Sequence, residues 1–250
     1  MASDHLSNEN SSDINDLDSI GFTKLHHAVR NKKKKEILQV LSRGADCNIQ
    51  SKNGETALHV AVEMMEISGR MSEEMSLDDW LMVVQEILMC GADCNIRSYM
   101  FCYTPLHWAV KTMTRVKPKK QELELVRMMI LQGGADPNVC DKRGRNSVTI
   151  AVSDGKPLDV ITLLVDNGGE LLAMDESGGN LLHHARRRES GGDPSEVIKF
   201  LLQHGYELSK RDNNGNTPLH LMYNTDGISC MIQYGAEVDA QNNAGQTLCG

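Results

Sequence analysis

Thr104-Pro105-Leu106-His107-Trp108-Ala109, followed through an apolar stretch by Gly134-Ala135-Asp136-Pro137-Asn138, decides the reading of this chain. Threonine before Pro-Leu is a helix N-cap: its hydroxyl takes an orphan amide, and proline suits the first helical position. Leu106 and Ala109 fall three apart, on one face of that helix. The apolar run Val126 to Leu131 reads as a second helix, and Gly134 takes the left-handed conformation that stops it. Asp141-Lys142-Arg143-Gly144 then has aspartate first and glycine fourth, as a type I turn prefers.

Working outward, both phrases return. The first recurs as Thr23-Lys24-Leu25-His26, Thr56-Ala57-Leu58-His59, Asn146-Ser147-Val148-Thr149, Asn180-Leu181-Leu182-His183 and Thr217-Pro218-Leu219-His220. The second recurs as Gly44-Ala45-Asp46-Cys47-Asn48, Gly91-Ala92-Asp93-Cys94-Asn95 and Gly235-Ala236-Glu237-Val238-Asp239. Counting the opening Thr247-Leu248, the cap positions lie 33, 48, 42, 34, 37 and 30 residues apart. Each unit is helix, turn, helix and an extended turn, too thin to bury its apolar face alone; stacking buries it.

These phrases resemble the ankyrin repeat family, whose signature is T-P-L-H-x-A at a period of about 33 residues. The resemblance implies an all-α solenoid of stacked helix-turn-helix units with projecting turn or hairpin tips. Units are expected at about 21–53, 54–101, 102–143, 144–177, 178–214 and 215–244, behind an acidic disordered tail at 1–20. Residues 245–250 read as the truncated start of a further unit.

Composition agrees. A chain 40% apolar and 24% charged folds, and its ten aromatic residues (Trp 2, Tyr 5, Phe 3) suit a thin aliphatic core in layers. The net charge of −8 argues against general nucleic-acid binding. No run of 18 apolar residues exists to cross a membrane, and Met1 to Ser19 has no apolar stretch for a secretory signal. Seven cysteines without paired spacing suit a reducing compartment, cytoplasmic or nuclear.

The copies also depart from the pattern. The second carries about fourteen extra residues around Ile67 to Asp79 and the third about nine around Met113 to Gln121, both expected to project from one edge. The fourth has Thr149 in place of histidine and the sixth is three residues short; both are expected to be less regular.

Candidate sites follow from these departures. The recurrent His26, His59, His107, His183 and His220 read as structural, each bonding backbone of the adjoining turn, since equivalent positions in successive layers do not converge on one ion. Cys90, Cys94, Cys102 and His107 match no zinc spacing, so no metal or cofactor is expected. Basic residues gather at the inter-helix turns: Arg30 and Lys32, Lys33, Lys34 and Lys35; Lys111, Arg115, Lys117, Lys119 and Lys120; and Arg186, Arg187 and Arg188. This edge reads as a solvated turn, as a docking strip for an acidic segment, or at Lys32–Lys35 as a nuclear-import signal. The acidic residues of the second unit, Glu63, Glu66, Glu73, Glu74, Asp78 and Asp79, offer to neutralise it.

One turn tip breaks the rule: Ser98-Tyr99-Met100-Phe101-Cys102 is apolar and has no glycine. The resemblance makes the tips and first helices a concave recognition surface. The apolar tip reads either as folding back on the long insertion of the second unit or as a contact surface, in which case Tyr99, Met100 and Phe101, with Lys52, Lys142, Arg143, Arg211 and Asn213 at neighbouring tips, are the expected partner contacts. Asn48, Asn95 and Asn138 fall where asparaginyl hydroxylases modify some relatives, although turn geometry alone accounts for asparagine there.

The expected function is that of a monomeric, non-catalytic scaffold or adaptor for a protein partner, without nucleic acid or membrane. A ubiquitin-ligase substrate receptor or an inhibitor of a transcription factor would use the same array. An enzyme would need a converging polar pocket, which nothing outside the scaffold pattern signals.

Overall fold

The computed structural model describes residues 13–71, 75–114, 119–171, 174, 176–185 and 193–248. Among them stand α1 (Lys24–Arg30), α2 (Lys34–Ser42), α3 (Ala57–Met71), α4 (Leu77–Met89), α5 (Pro105–Thr112) and α6 (Lys120–Leu131). These are followed by α7 (Ser147–Ser153), α8 (Leu158–Asp166), α9 (Leu181–His184), α10 (Ser195–Gln203), a 3-10 turn (Pro218–Leu221) and α11 (Thr225–Gln233). No strand occurs among the described residues. The first helices pack in series, α1 on α3, α5, α7, α9 and then the 3-10 turn. In the second row α2 packs on α4, α4 on α6, and α10 on α11. The fold is an all-α ankyrin-repeat solenoid.

Its core is the leucine–alanine pair of each first helix. Leu25 with Ala28, Leu58 with Ala61, Leu106 with Ala109 and Val148 with Ala151 are almost wholly buried. Each buried leucine contributes roughly 1.5–3 kcal/mol, but only because the neighbouring layer covers it.

The Thr-Pro-Leu-His phrase closes a capping box with histidine as the third helical residue. In α5 the Thr104 hydroxyl accepts from the His107 amide at 3.3 Å, and His107 Nδ1 accepts from the Thr104 amide at 3.0 Å. Two orphan donors are satisfied at once. The far ring nitrogen reaches the next layer: Nε2 of His26, His59, His183 and His220 lies 3.1, 3.0, 3.0 and 3.0 Å from the carbonyls of Glu55, Tyr103, Asn216 and Gln246. His107 Nε2 faces the Val139 and Arg145 carbonyls without a formed bond.

A second fastening runs along the carboxyl ends of the second helices. Asn48 Nδ2 donates to the Gly91 carbonyl at 3.0 Å while its Oδ1 accepts from the Asp93 amide at 2.7 Å. Asn95 repeats this with Gly134 and Asp136, and Asn138 with Gly168 and Glu170. Gly91, with φ +87°, holds the left-handed position that presents the carbonyl.

Several expectations need correction. Residues 13–20 are not a disordered tail but copy the joint that Asn48, Asn95 and Asn138 make in the next three layers. The Asp46 amide donates to Asn15 Oδ1 at 2.9 Å, as the Asp93 amide does to Asn48. The Asp18 amide bonds the Phe22 carbonyl at 3.0 Å, as Asp141 bonds Arg145 at 2.8 Å. Among the described residues, the extra length of the second unit goes into helix, lengthening α3 and beginning α4 early, with Ser76 and Asp79 closing a capping box and Trp80 fully buried.

The fourth layer is regular. Asn146 caps α7, and Thr149 replaces the histidine by donating its hydroxyl to Asn146 Oδ1 at 3.0 Å. The sixth layer is irregular as expected, its first helix reduced to the 3-10 turn, and the fifth joins it with a first helix of 4 residues.

Candidate functional site

Aligning the layers on the cap residue exposes a pattern on the first-helix face. In the first layer Phe22, just before the cap, meets His27 edge-on at 5.4 Å, and the Arg30 guanidinium stands 5.5 Å from the Phe22 ring centre. In the third layer the same three positions hold Tyr103, Trp108 and Lys111. Tyr103 and Trp108 meet at 90° and 5.6 Å, and Lys111 Nζ is 5.9 Å from the Tyr103 ring centre. Such cation–ring contacts are worth roughly 0.5–1 kcal/mol at exposed sites. Sequence reading missed these triplets, although their common offset from the cap residue could have shown them.

Between the triplets lies an acidic layer. Burial raises the Glu63 carboxyl above its usual range, Glu55 and Glu66 push the same way, and Arg30 opposes them. On the far side Arg145 is clamped: its Nη2 donates to Asp141 at 2.7 Å and to the Tyr103 hydroxyl at 3.2 Å. The face thus alternates ring-and-cation with carboxylate.

At the turn tips, Tyr99 (62%), Met100 (66%) and Phe101 (47%) are exposed. Their turn is one residue longer than its neighbours: Ser98 to Thr104 spans six positions where Ser51 to Thr56 spans five. Cys102 takes the glycine's place with φ +55°. Phe101 stacks on Tyr103 at 5.4 Å, so a continuous run of rings leads from tip to first-helix face. Tips are tied by backbone bonds, Tyr99 to the Asn53 carbonyl at 2.9 Å and Lys142 to the Phe101 carbonyl at 3.0 Å.

The remaining candidates divide. Lys142 and Arg143 are exposed. The Lys52 ammonium donates to the Ser19 carbonyl at 2.6 Å, and Asn213 Nδ2 to Glu176 at 3.3 Å. Arg211 is a strut, donating to the carbonyls of Gly215 at 3.0 Å and Gln241 at 2.5 Å, much as Gln50 bridges Gly54 and Arg97.

The basic edge is partly neutralised. Lys34 bonds Asp79 at 2.5 Å and Lys33 approaches Glu36 at 3.4 Å. The Lys34 ammonium, then the Ser76 hydroxyl and amide, hold the Asp79 carboxyl down at about 2. Lys32 sits at φ +56°, and Lys35, Lys119 and Lys120 are exposed. Lys117 and Arg186, Arg187 and Arg188 lie outside the described residues, as do Arg115, Glu73 and Glu74.

One residue of this edge was not anticipated. Lys156 is buried, and its ammonium donates to the Lys111 carbonyl at 2.8 Å and to that of Met113, closing the end of α5. Cys47 and Cys94 are buried, which pushes both thiols up to about 12. Among the described residues no three His, Cys, Asp or Glu side chains group as metal ligands would.

A model of ankyrin repeats in three copies matches residues 113–212, and a single ankyrin repeat matches 214–243. The chain belongs to the ankyrin repeat family. Ankyrin repeats generally mediate protein–protein interaction, and proteins built from them are generally non-catalytic.

Two solved ankyrin structures share its shape. EF0377, an ankyrin repeat protein, superposes with a TM-score of 0.65 at 19% identity, covering 90% of this chain and 100% of its own. The ankyrin repeat domain of Bcl-3, a member of the IkappaB protein family, gives 0.63 at 21% identity, covering 91% and 92%. At these identities the likeness is one of fold. No helix among the described residues is long and apolar enough to cross a membrane.

Proposed function

We propose that this ankyrin array is a non-catalytic interaction module that holds a protein partner along its first-helix face and turn tips, acting as a monomer. The observation that carries this reading is the unbroken run of rings from Phe101 at the tip through Tyr103 to Trp108, with Lys111 and Arg145 beside it. Aromatic and arginine side chains are the groups that anchor interfaces, and here the buried Tyr103 backs the exposed Phe101 and the half-buried Trp108. The overall negative charge turns the reading away from nucleic acid. Six cysteines stand free among the described residues, which suits a reducing compartment.

A photo-crosslinking residue in place of Trp108 tests it, with one in place of Met89 on α4, 75% exposed, as the control. In cell extract the substituent at 108 is expected to capture a defined protein that the one at 89 does not. Equal capture at both positions, or none at either, overturns the reading.

A further inference from the structure

The tip at 99–101 stands apart on three counts: an added residue, a side chain forced into the left-handed region at Cys102, and three consecutive apolar residues turned to solvent. Left-handed backbone is strained for a residue other than glycine. Here that strain accompanies a projecting ring pair. Tyr99 lies directly over Gly54, where an added Cβ would come within 2.6 Å of its ring, and Phe101 rests on Tyr103. Both rings are therefore backed by the scaffold, the condition under which an exposed aromatic anchors a contact at low entropic cost.

Charge names the occupant. The preceding tip carries Lys52 and Asn53, and the following one Lys142 and Arg143, all exposed. Of the two acidic groups in those turns, Asp141 is buried and taken by Arg145, and Glu55 is half-buried behind the tip. An apolar seat with cations on both sides complements an apolar residue with carboxylates on both sides. Neighbouring helical layers stand about 8–10 Å apart, and an extended chain advances about 3.3 Å per residue, so adjacent tips match positions about three residues apart.

We propose that these tips bind an extended acidic segment of a partner protein. One large apolar residue sits on Tyr99, Met100 and Phe101, and Asp or Glu about three positions to either side meets Lys52 and the Lys142–Arg143 pair. This rests on the interaction reading above and gives its partner a chemistry.

The test is selection of a displayed random twelve-residue peptide library on the full chain, followed by anisotropy titration of the enriched peptides. Enriched sequences are expected to carry an apolar residue between acidic ones. Their affinity should fall at least about tenfold with Tyr99→Ser, Met100→Ser and Phe101→Ser combined, and similarly with Lys142→Glu plus Arg143→Glu. It should also weaken several-fold between about 50 and 300 mM salt, while the melting temperature of both variants stays put. Enriched peptides that lack acidic residues, or that bind both variants unchanged, overturn the proposal. If such peptides instead lose binding on Trp108→Ala, the interaction reading stands and the tip assignment alone fails. Failure to enrich any sequence overturns both. Concentration-dependent dimers that vanish in the serine variant overturn it in favour of a second copy of the chain as occupant.

Discussion

His59 Nε2 meets the carbonyl oxygen of Tyr103 at 3.0 Å, joining two layers through residues 44 apart in the chain. The other ring nitrogen accepts from the Thr56 amide at 3.1 Å, so the ring is neutral, with its proton on Nε2. One side chain thus caps its own helix and positions the residue from which the aromatic face grows. His59→Ala is expected to lose both bonds, leave the Tyr103 carbonyl with the Ser98 amide as its remaining donor, and cost about 1–3 kcal/mol, read from the urea midpoint.

Acid should loosen the same joint. Burial lowers His59 from 6.5 to about 4, and His107 likewise to about 4. The unfolded chain takes up these protons near pH 6.5, the folded chain only near 4. Stability is therefore full above the upper value, falls as pH drops through this window and levels off beneath it. Each ring accounts for roughly 3 kcal/mol of the fall. Urea midpoints measured across the window should give a shallower slope in His59→Asn than in the parent chain; identical slopes would refute the assignment.

Cys102 offers a gain. Its φ of +55° suits glycine, so Cys102→Gly should raise stability by about 0.5–1 kcal/mol, seen as a higher melting temperature. Gly54→Ala, at φ +77° and with its new methyl 2.6 Å from the Tyr99 amide nitrogen, should cost about 2 kcal/mol or more.

The asparagine joints are testable separately. Asn95→Ala removes a donor to Gly134 and an acceptor for Asp136, both near the surface. About 1–2 kcal/mol is the expected loss. Hydrogen exchange at the Asp136 amide should quicken while that at the Asp93 amide, held by Asn48, does not.

Lys156→Met keeps the length of the side chain but withdraws the ammonium from the Lys111 and Met113 carbonyls. Two acceptors at a helix end, one buried and one partly buried, lose their donor, so a loss of about 2–3 kcal/mol is expected by thermal melting. Lys33, which stands at the same point of the first layer's turn, is exposed and its Lys33→Met change should be near neutral.

What could be read in advance follows a physical division. Cap, helix and stop are local, so Thr104-Pro105-Leu106-His107 and Gly134-Ala135-Asp136 announced their structure from a few neighbouring residues. Residues 13–20 are hard to read in sequence because their copy lacks the Gly-Ala that marks four of the others, leaving only Asp13, Asn15, Asp18 and Gly21 in register. The insertion of the second unit was misjudged because its burial of Trp80 depends on neighbouring helices, which no local pattern reports. Lys156 could not be recognised either: a lysine in a turn ordinarily faces water, and only the end of α5 in the layer before makes burial favourable. Tyr99 and Phe101 were legible as departures from a polar turn, whereas the Phe22 and Tyr103 triplets became visible only with the layers aligned.

The fastenings between layers are unevenly distributed. Leu172 and Ser209 stand where earlier layers have their bridging asparagine, and α9 and the 3-10 turn are the shortest first helices described. A one-dimensional array whose neighbours hold each other unequally does not come apart everywhere at once. Pulled or warmed, this one would peel from its carboxyl-terminal layers like tape from a wall, while the aromatic tip, backed by the better-fastened layers before and after it, stays stuck down.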